Sequence, residues 1–198
     1  DDCNHAIRLN RNFLDAYLER GLINYKIGHF TAAIKDFDKT ISHNSTSIAA
    51  LNNRGLAFKA VGRFKDALLD FDNVILLEPG HVEALNNRGV VLKTMRRFDE
   101  ALKDLDKAIS LSQKSYDIIN NRGATLWESG FFEEAISDYN KAISLNPDHA
   151  EAYNNRGNAL KEMMRLDESL EDFNRAIVLK PDYVDAHWNK STHSLLLE

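Results

Sequence analysis

Four copies of Asn-Asn-Arg-Gly stand at 52–55, 86–89, 120–123 and 154–157. A related Leu18-Glu19-Arg20-Gly21 precedes them and Trp188-Asn189-Lys190-Ser191 follows. The last residues of these six sites, Gly21, Gly55, Gly89, Gly123, Gly157 and Ser191, recur every 34 residues. A fixed period of this length means copies of one supersecondary unit, none able to bury its apolar side alone. The core of such a chain grows lengthwise, so the 198 residues need not divide into globular domains.

Frames starting at Leu14 give five full units, 14–47, 48–81, 82–115, 116–149 and 150–183. Residues 1–13 match the back of a unit: Asp2, Ala6-Ile7 and Leu9-Asn10 align with Asp138, Ala142-Ile143 and Leu145-Asn146. Residues 184–198 match only the front half. The expectation is a single array over 1–198, open in register at both ends and taken from a longer chain. The first half of a unit carries a helical i, i+4, i+7 stripe (Leu85, Gly89, Leu92; Tyr153, Gly157, Leu160). The second half does too, with small residues where helices meet (Phe132, Ala135, Ile136, Tyr139, Ala142, Ile143). Glu78-Pro79-Gly80, Asn146-Pro147-Asp148 and Lys180-Pro181-Asp182 end the second helix, because proline lacks the backbone donor and disfavours helix before it. Asn44-Ser45-Thr46 and Ser112-Gln113-Lys114 do so with turn-forming residues instead. Nothing reads as a strand, so the class is all-α.

Several places recur together: Gly at the eighth, Ala33, Ala67, Ala101 and Ala135 at the twentieth, and Pro79, Pro147 and Pro181 at the thirty-second. In this the chain resembles the tetratricopeptide-repeat family over essentially its whole length. The resemblance implies a right-handed superhelical solenoid of stacked antiparallel helical hairpins, with a concave groove lined by first helices. It also implies a docking role for peptides or proteins. Departures are mild: Ser169 replaces Ala, Thr40 and Val74 stand where Ala108, Ala142 and Ala176 follow, and Arg holds the seventh place.

Glycine inside a helix costs about 1 kcal/mol relative to Ala. Five such glycines are explained if helices approach there too closely for a side chain. Asparagine is also a poor helix residue, about 0.6 kcal/mol below Ala, yet two adjoin in four successive first helices. In the family's geometry the fifth and sixth places face the groove. They form two rails: Asn52, Asn86, Asn120 and Asn154, and Asn53, Asn87, Asn121, Asn155 and Asn189. An amide offers both donor and acceptor, matching the backbone of an extended peptide. Two readings stay open, contact with a groove ligand and bonding between neighbouring repeats. A similar ladder in the repeat domain of O-linked N-acetylglucosamine transferases, where it binds substrate backbone, favours the first.

Tyr25, Lys59, Lys93, Trp127 and Lys161 hold the twelfth place and join the candidate peptide-binding residues, beside Leu22, Leu56, Val90, Ala124 and Asn158 at the ninth. These lysines suit an acidic, partly apolar peptide. Asp15, Glu83, Asp117, Glu151 and Asp185 at the second place oppose it, leaving the charge preference open. The carboxylate clamp of chaperone-binding relatives needs Lys and Asn at the fifth and ninth places. Only Asn154 and Asn158 approach it, without the lysine. The recurring Arg20, Arg54, Arg88, Arg122 and Arg156, then Lys190, tempt one towards a phosphate site. Asp2, Asp36, Asp70, Asp104, Asp138 and Asp172 at the twenty-third place supply structural partners instead, in a geometry that suits guanidinium.

A formal charge of −5 argues against a nucleic-acid partner, and an apolar content of 43% against global disorder. Cys3 is the only cysteine, which excludes an intrachain disulfide and fits a reducing, cytoplasmic location. No apolar run is long enough to span a membrane, and no basic-then-apolar signal segment opens the chain. The seven histidines are scattered, and His187 and His193 lie six apart on different helix sides, so no metal site is expected. Neither a cofactor motif nor a nucleophile motif is present. The reading is a non-enzymatic scaffold holding an extended polypeptide through its asparagine ladder. Alternatives are a substrate-recruiting fragment of a larger enzyme, such as a protein glycosyltransferase, and self-assembly through the open ends. Residues 185–197 resemble the last repeat of bacterial proteins that continue into a glycosyltransferase-like domain. Leu195, Leu196 and Leu197 make the C-terminal helix the expected self-association surface.

Overall fold

A computed structural model describes residues 2–10 and 12–194. Among the described residues there are twelve helices and no strand. They form two compact units that divide between Arg96 and Arg97.

The first unit contains α1 (Asp2–Leu9), α2 (Leu14–Lys26), α3 (Phe30–His43), α4 (Ile48–Ala60), α5 (Phe64–Leu77) and α6 (Val82–Thr94). Each helix touches the next, and the first helices α2, α4 and α6 also touch in succession. The hairpins are antiparallel: the Tyr25 and Phe30 rings lie 5.5 Å apart beside the turn, and Arg20 reaches Asp36 further from it. The core joins Ile34 of α3, Leu51, Ala57 and Phe58 of α4, Ala67, Phe71 and Val74 of α5, and Ala84 and Val91 of α6. Fully burying the larger of these, the Leu, Ile, Val and Phe side chains, stabilises by about 1.5–3 kcal/mol each.

The second unit contains α7 (Phe98–Leu111), α8 (Tyr116–Glu128), α9 (Phe132–Leu145), α10 (Ala150–Glu162), α11 (Leu166–Leu179) and α12 (Val184–Ser194). Here too α8, α10 and α12 touch in succession. Ala135, Ile136, Tyr139, Ala159 and Leu160 form a core cluster across α9 and α10. Ser169, standing where other units have Ala, is buried and donates to the Gly157 carbonyl at 2.8 Å. That hydrogen bond removes the penalty of a polar atom in this place.

The mid-helix glycines have a steric cause. A Cβ on Gly55, Gly123 or Gly157 would lie 2.7 Å from the ring of Phe71, Tyr139 or Phe173, and one on Gly21 2.6 Å from Phe37. Within each hairpin the turn needs one left-handed residue. Gly62 (φ 76°) meets this need without strain, whereas Arg96 (φ 59°) and Met164 (φ 58°) hold the equivalent place with a side chain. Between hairpins, the Asn44 and Asn146 side chains accept from the Thr46 and Asp148 backbone N–H, both at 3.2 Å. These Asx turns stop α3 and α9 whether or not proline is present.

Candidate functional site

The seventh-place arginines are structural clamps. Arg54 donates from Nε and Nη2 to Asp70 at 2.8 and 2.6 Å, and from Nη1 to Asp38 at 2.6 Å. The first partner lies sixteen residues ahead in the same hairpin, the second sixteen residues back in the preceding one. Arg122 repeats this with Asp138 and Asp106, Arg156 with Asp172 and Asn140, and Arg20 with Asp36 and Asn4. Arg88 donates to Asp72 at 2.6 Å. Donating to Asp70 and Asp138 raises the pKa of Arg54 and Arg122 further above an already high value. All these guanidinium groups are therefore occupied, and a phosphate site is not built from them. The preceding-hairpin partners escaped the sequence reading. Their signal was there, because Asn4, Asp38, Asp72, Asp106 and Asn140 recur every 34 residues.

The two asparagine rails differ in depth. Asn52, Asn120 and Asn154 of the fifth place are buried (6%, 2% and 4% exposed), and Asn86 is half-buried. Asn53, Asn87, Asn121, Asn155 and Asn189 of the sixth place are all half-buried. In the second unit the rails bond each other across repeats. Asn155 Nδ2 donates to Asn120 Oδ1 at 3.2 Å, and Asn189 Nδ2 to Asn154 Oδ1 at 2.9 Å. Asn120 Nδ2 in turn reaches Glu151 Oε1 at 3.4 Å. Burial pushes the pKa of the nearby Tyr183 hydroxyl up to about 12. Asn120 and Asn154 are therefore interior staples that hold the sixth-place amides, because their own side chains point between stacked first helices.

The first unit bonds differently. Asn53 Nδ2 donates to the Ala49 carbonyl of its own helix at 2.8 Å. Its cross-repeat acceptor is lacking because the fifth place one repeat earlier is Leu18. Asn52 Oδ1 is buried without a hydrogen-bond partner, although Asn87 stands one repeat ahead at the same spacing.

The twelfth-place residues line the same helices. Lys59, Lys93 and Lys161 are half-buried, and burial lowers the Lys59 pKa. Trp127 packs with Leu126 and Met163 against the Tyr139 cluster, and its indole Nε1 is buried without a partner. Its ring thus contributes to the core as well as to the face. Acids occupy the first turns of α2, α6, α8, α10 and α12 (Asp15, Glu83, Asp117, Glu151, Asp185), while the first turn of α4 has none. At the far side of α12 a shallow apolar cavity of about 580 Å³ is lined by Asp182, Val184, His187, Trp188 and Ser191. Val184 and Trp188 are 75% and 69% exposed there. Leu195, Leu196 and Leu197 lie outside the described residues. Among the described residues no His, Cys, Asp and Glu cluster could hold a metal ion. No described helix is long and apolar enough to cross a membrane.

Hairpins closed by glycine–ring contacts and tied to their predecessors by arginine define a helical repeat solenoid. Residues 82–115 and 150–183 match the tetratricopeptide repeat, and 128–163 match a TPR repeat model. These stretches are therefore tetratricopeptide repeats. The fold agrees with solved structures of that kind. YrrB, a TPR protein with an unusual peptide-binding site, is 21% identical, with a TM-score of 0.71 over 96% of this chain and 98% of its own. TTC0263, a thermophilic TPR protein of Thermus thermophilus, is 20% identical, with a TM-score of 0.77 over 92% and 99%. A chain of the APC/C hetero-tetramer Cut9–Hcn1 is 16% identical, with a TM-score of 0.87 over 99% of this chain and 39% of that one. At these identities the likeness is one of fold. No curated protein matches the sequence.

Proposed function

We propose that the chain is a non-catalytic scaffold that holds an extended polypeptide along its first helices through the sixth-place asparagines. The observation that carries this reading is how their amides are fixed. The Nδ2 groups of Asn53, Asn155 and Asn189 are committed to Ala49, Asn120 and Asn154. Among the described residues their Oδ1 atoms accept nothing. Each side chain thus presents an oriented acceptor suited to a peptide N–H, with its ordering cost already met in the free protein. At about 1 kcal/mol net per bond, five or six would supply much of the roughly −8 kcal/mol of a micromolar complex. Asn52, Asn86, Asn120 and Asn154 serve as the supporting rail, and Lys59, Lys93, Trp127 and Lys161 flank it. Resemblance to the transferase ladder supports this, as does sharing a fold with YrrB, whose description names a peptide-binding site. The single cysteine, Cys3, fits action in the cytoplasm.

The test is a library of extended peptides screened against the wild type and a variant with Asn53, Asn87, Asn121 and Asn155 all changed to Ala. Thermal melts report the fold of both. At least tenfold weaker binding by a folded variant is expected, and unchanged binding would refute the ladder. A second reading, self-association through α12, rests on exposed Val184 and Trp188. It predicts concentration-dependent light scattering that Trp188→Gln abolishes.

A further inference from the structure

Three independent features meet on one helix of the first unit. The first-turn acid present in α2, α6, α8, α10 and α12 is missing from α4, where Ala49 takes its place. Further along the same face stands Lys59, half-buried and without an ion pair among the described residues. Nothing but desolvation acts on its ammonium, and that lowers its pKa. Finally, Asn52 Oδ1 is a buried acceptor with no donor. Its equivalents Asn120 and Asn154 are filled by Asn155 and Asn189. Asn87, in position to fill it, makes no side-chain hydrogen bond among the described residues.

A half-buried cation without a counter-ion and a buried acceptor without a donor each raise the energy of the free protein. They stand seven residues apart, or about 10 Å along the helix. That is the length of about three residues of extended chain. The missing acid removes the repulsion that an anion would meet on the other first helices. We propose that the face of α4 toward α6 reads an acidic side chain on the bound polypeptide. The Asp or Glu carboxylate sits on Lys59, and a nearby backbone N–H is received by the half-buried Asn87, one repeat ahead of the buried Asn52 acceptor. This rests on the scaffold reading above and adds to it the ligand's charge and the helix that selects it.

The probe is an array of twelve-residue unstructured peptides in which every Asp- or Glu-containing member is paired with its Asn or Gln isostere. The best binder is labelled, and anisotropy titrations use the wild type, Lys59→Met, Lys59→Arg and Lys65→Met, the last an exposed lysine of α5 outside the ladder. Methionine keeps the aliphatic stem, so Lys59→Met is expected to melt no lower than the wild type. The acidic peptide should be preferred over its isostere by about tenfold, a charged hydrogen bond's worth. Lys59→Met should erase that preference, while Lys59→Arg and Lys65→Met keep it. Binding without acid preference, or a preference that survives Lys59→Met, overturns this inference and leaves the scaffold standing. If no peptide binds, both fall.

Discussion

The asparagine steps of the two units use the same residue pair at the same spacing and behave differently. In the second unit Asn155 closes on Asn120 and Asn189 on Asn154. In the first, Asn53 turns back to Ala49 and Asn52 keeps an unfilled acceptor. The contrast teaches that an asparagine repeat fixes what a site is able to bond, not what it bonds. Leu18 in place of asparagine redirects Asn53, whereas Asn52 and Asn87 are a matched pair at the right spacing and still do not close.

Six substitutions would break or sharpen this comparison. The arginine clamps should erase it: Arg54→Met and Arg122→Met each strand a buried aspartate, Asp70 or Asp138. Each should lower stability by about 3 kcal/mol in urea melts, with similar losses in the two units. The asparagines should restore the difference with opposite sign. Asn120→Ala loses its bonds to Asn155 and Glu151 and should cost about 1 kcal/mol. Asn52→Ala removes an unpartnered acceptor and a poor helix former, and should stabilise by about 0.5–1 kcal/mol. The turns provide a third contrast, since Met164 stands in a left-handed conformation that Gly62 meets freely. Met164→Gly should raise the melting temperature, corresponding to about 1 kcal/mol, because the side chain is exposed and little contact is lost. The smallest effect belongs to Leu18→Asn, within about 0.5 kcal/mol. There the readout is NMR: slowed exchange of the Asn53 side-chain amide would report its transfer from Ala49 to residue 18.

What the sequence made legible was what repeats sterically. Gly123 facing Tyr139 and Arg122 facing Asp138 both follow from one antiparallel register, so the 34-residue period carried them. The breaks after Leu77, Leu145 and Leu179 were readable from proline. The hairpin turns were half visible: Gly28, Gly62 and Gly130 share a place, but Arg96 and Met164 conceal it. The asparagine bonds were not readable, because a half-buried amide has several partners within reach and its rotamer depends on neighbours outside the motif. Asp38 and Asp106, the second anchors of Arg54 and Arg122, were present in the period and obscured by nearer acids. Ala49 shows the converse: the gap it leaves in the acidic edge is plain in the sequence, yet gains meaning only beside Lys59 and Asn52.

Because Arg54, Arg122 and Arg156 each grip their own hairpin and the one before it, each unit has a grain, like wood. Within the second unit the tie of Arg122 ends on the anionic Asp106, whereas that of Arg156 ends on the neutral Asn140. When stretched, the second unit should part first at that neutral tie, shedding the hairpin of α10 and α11 before the hairpin of α8 and α9 parts from α7.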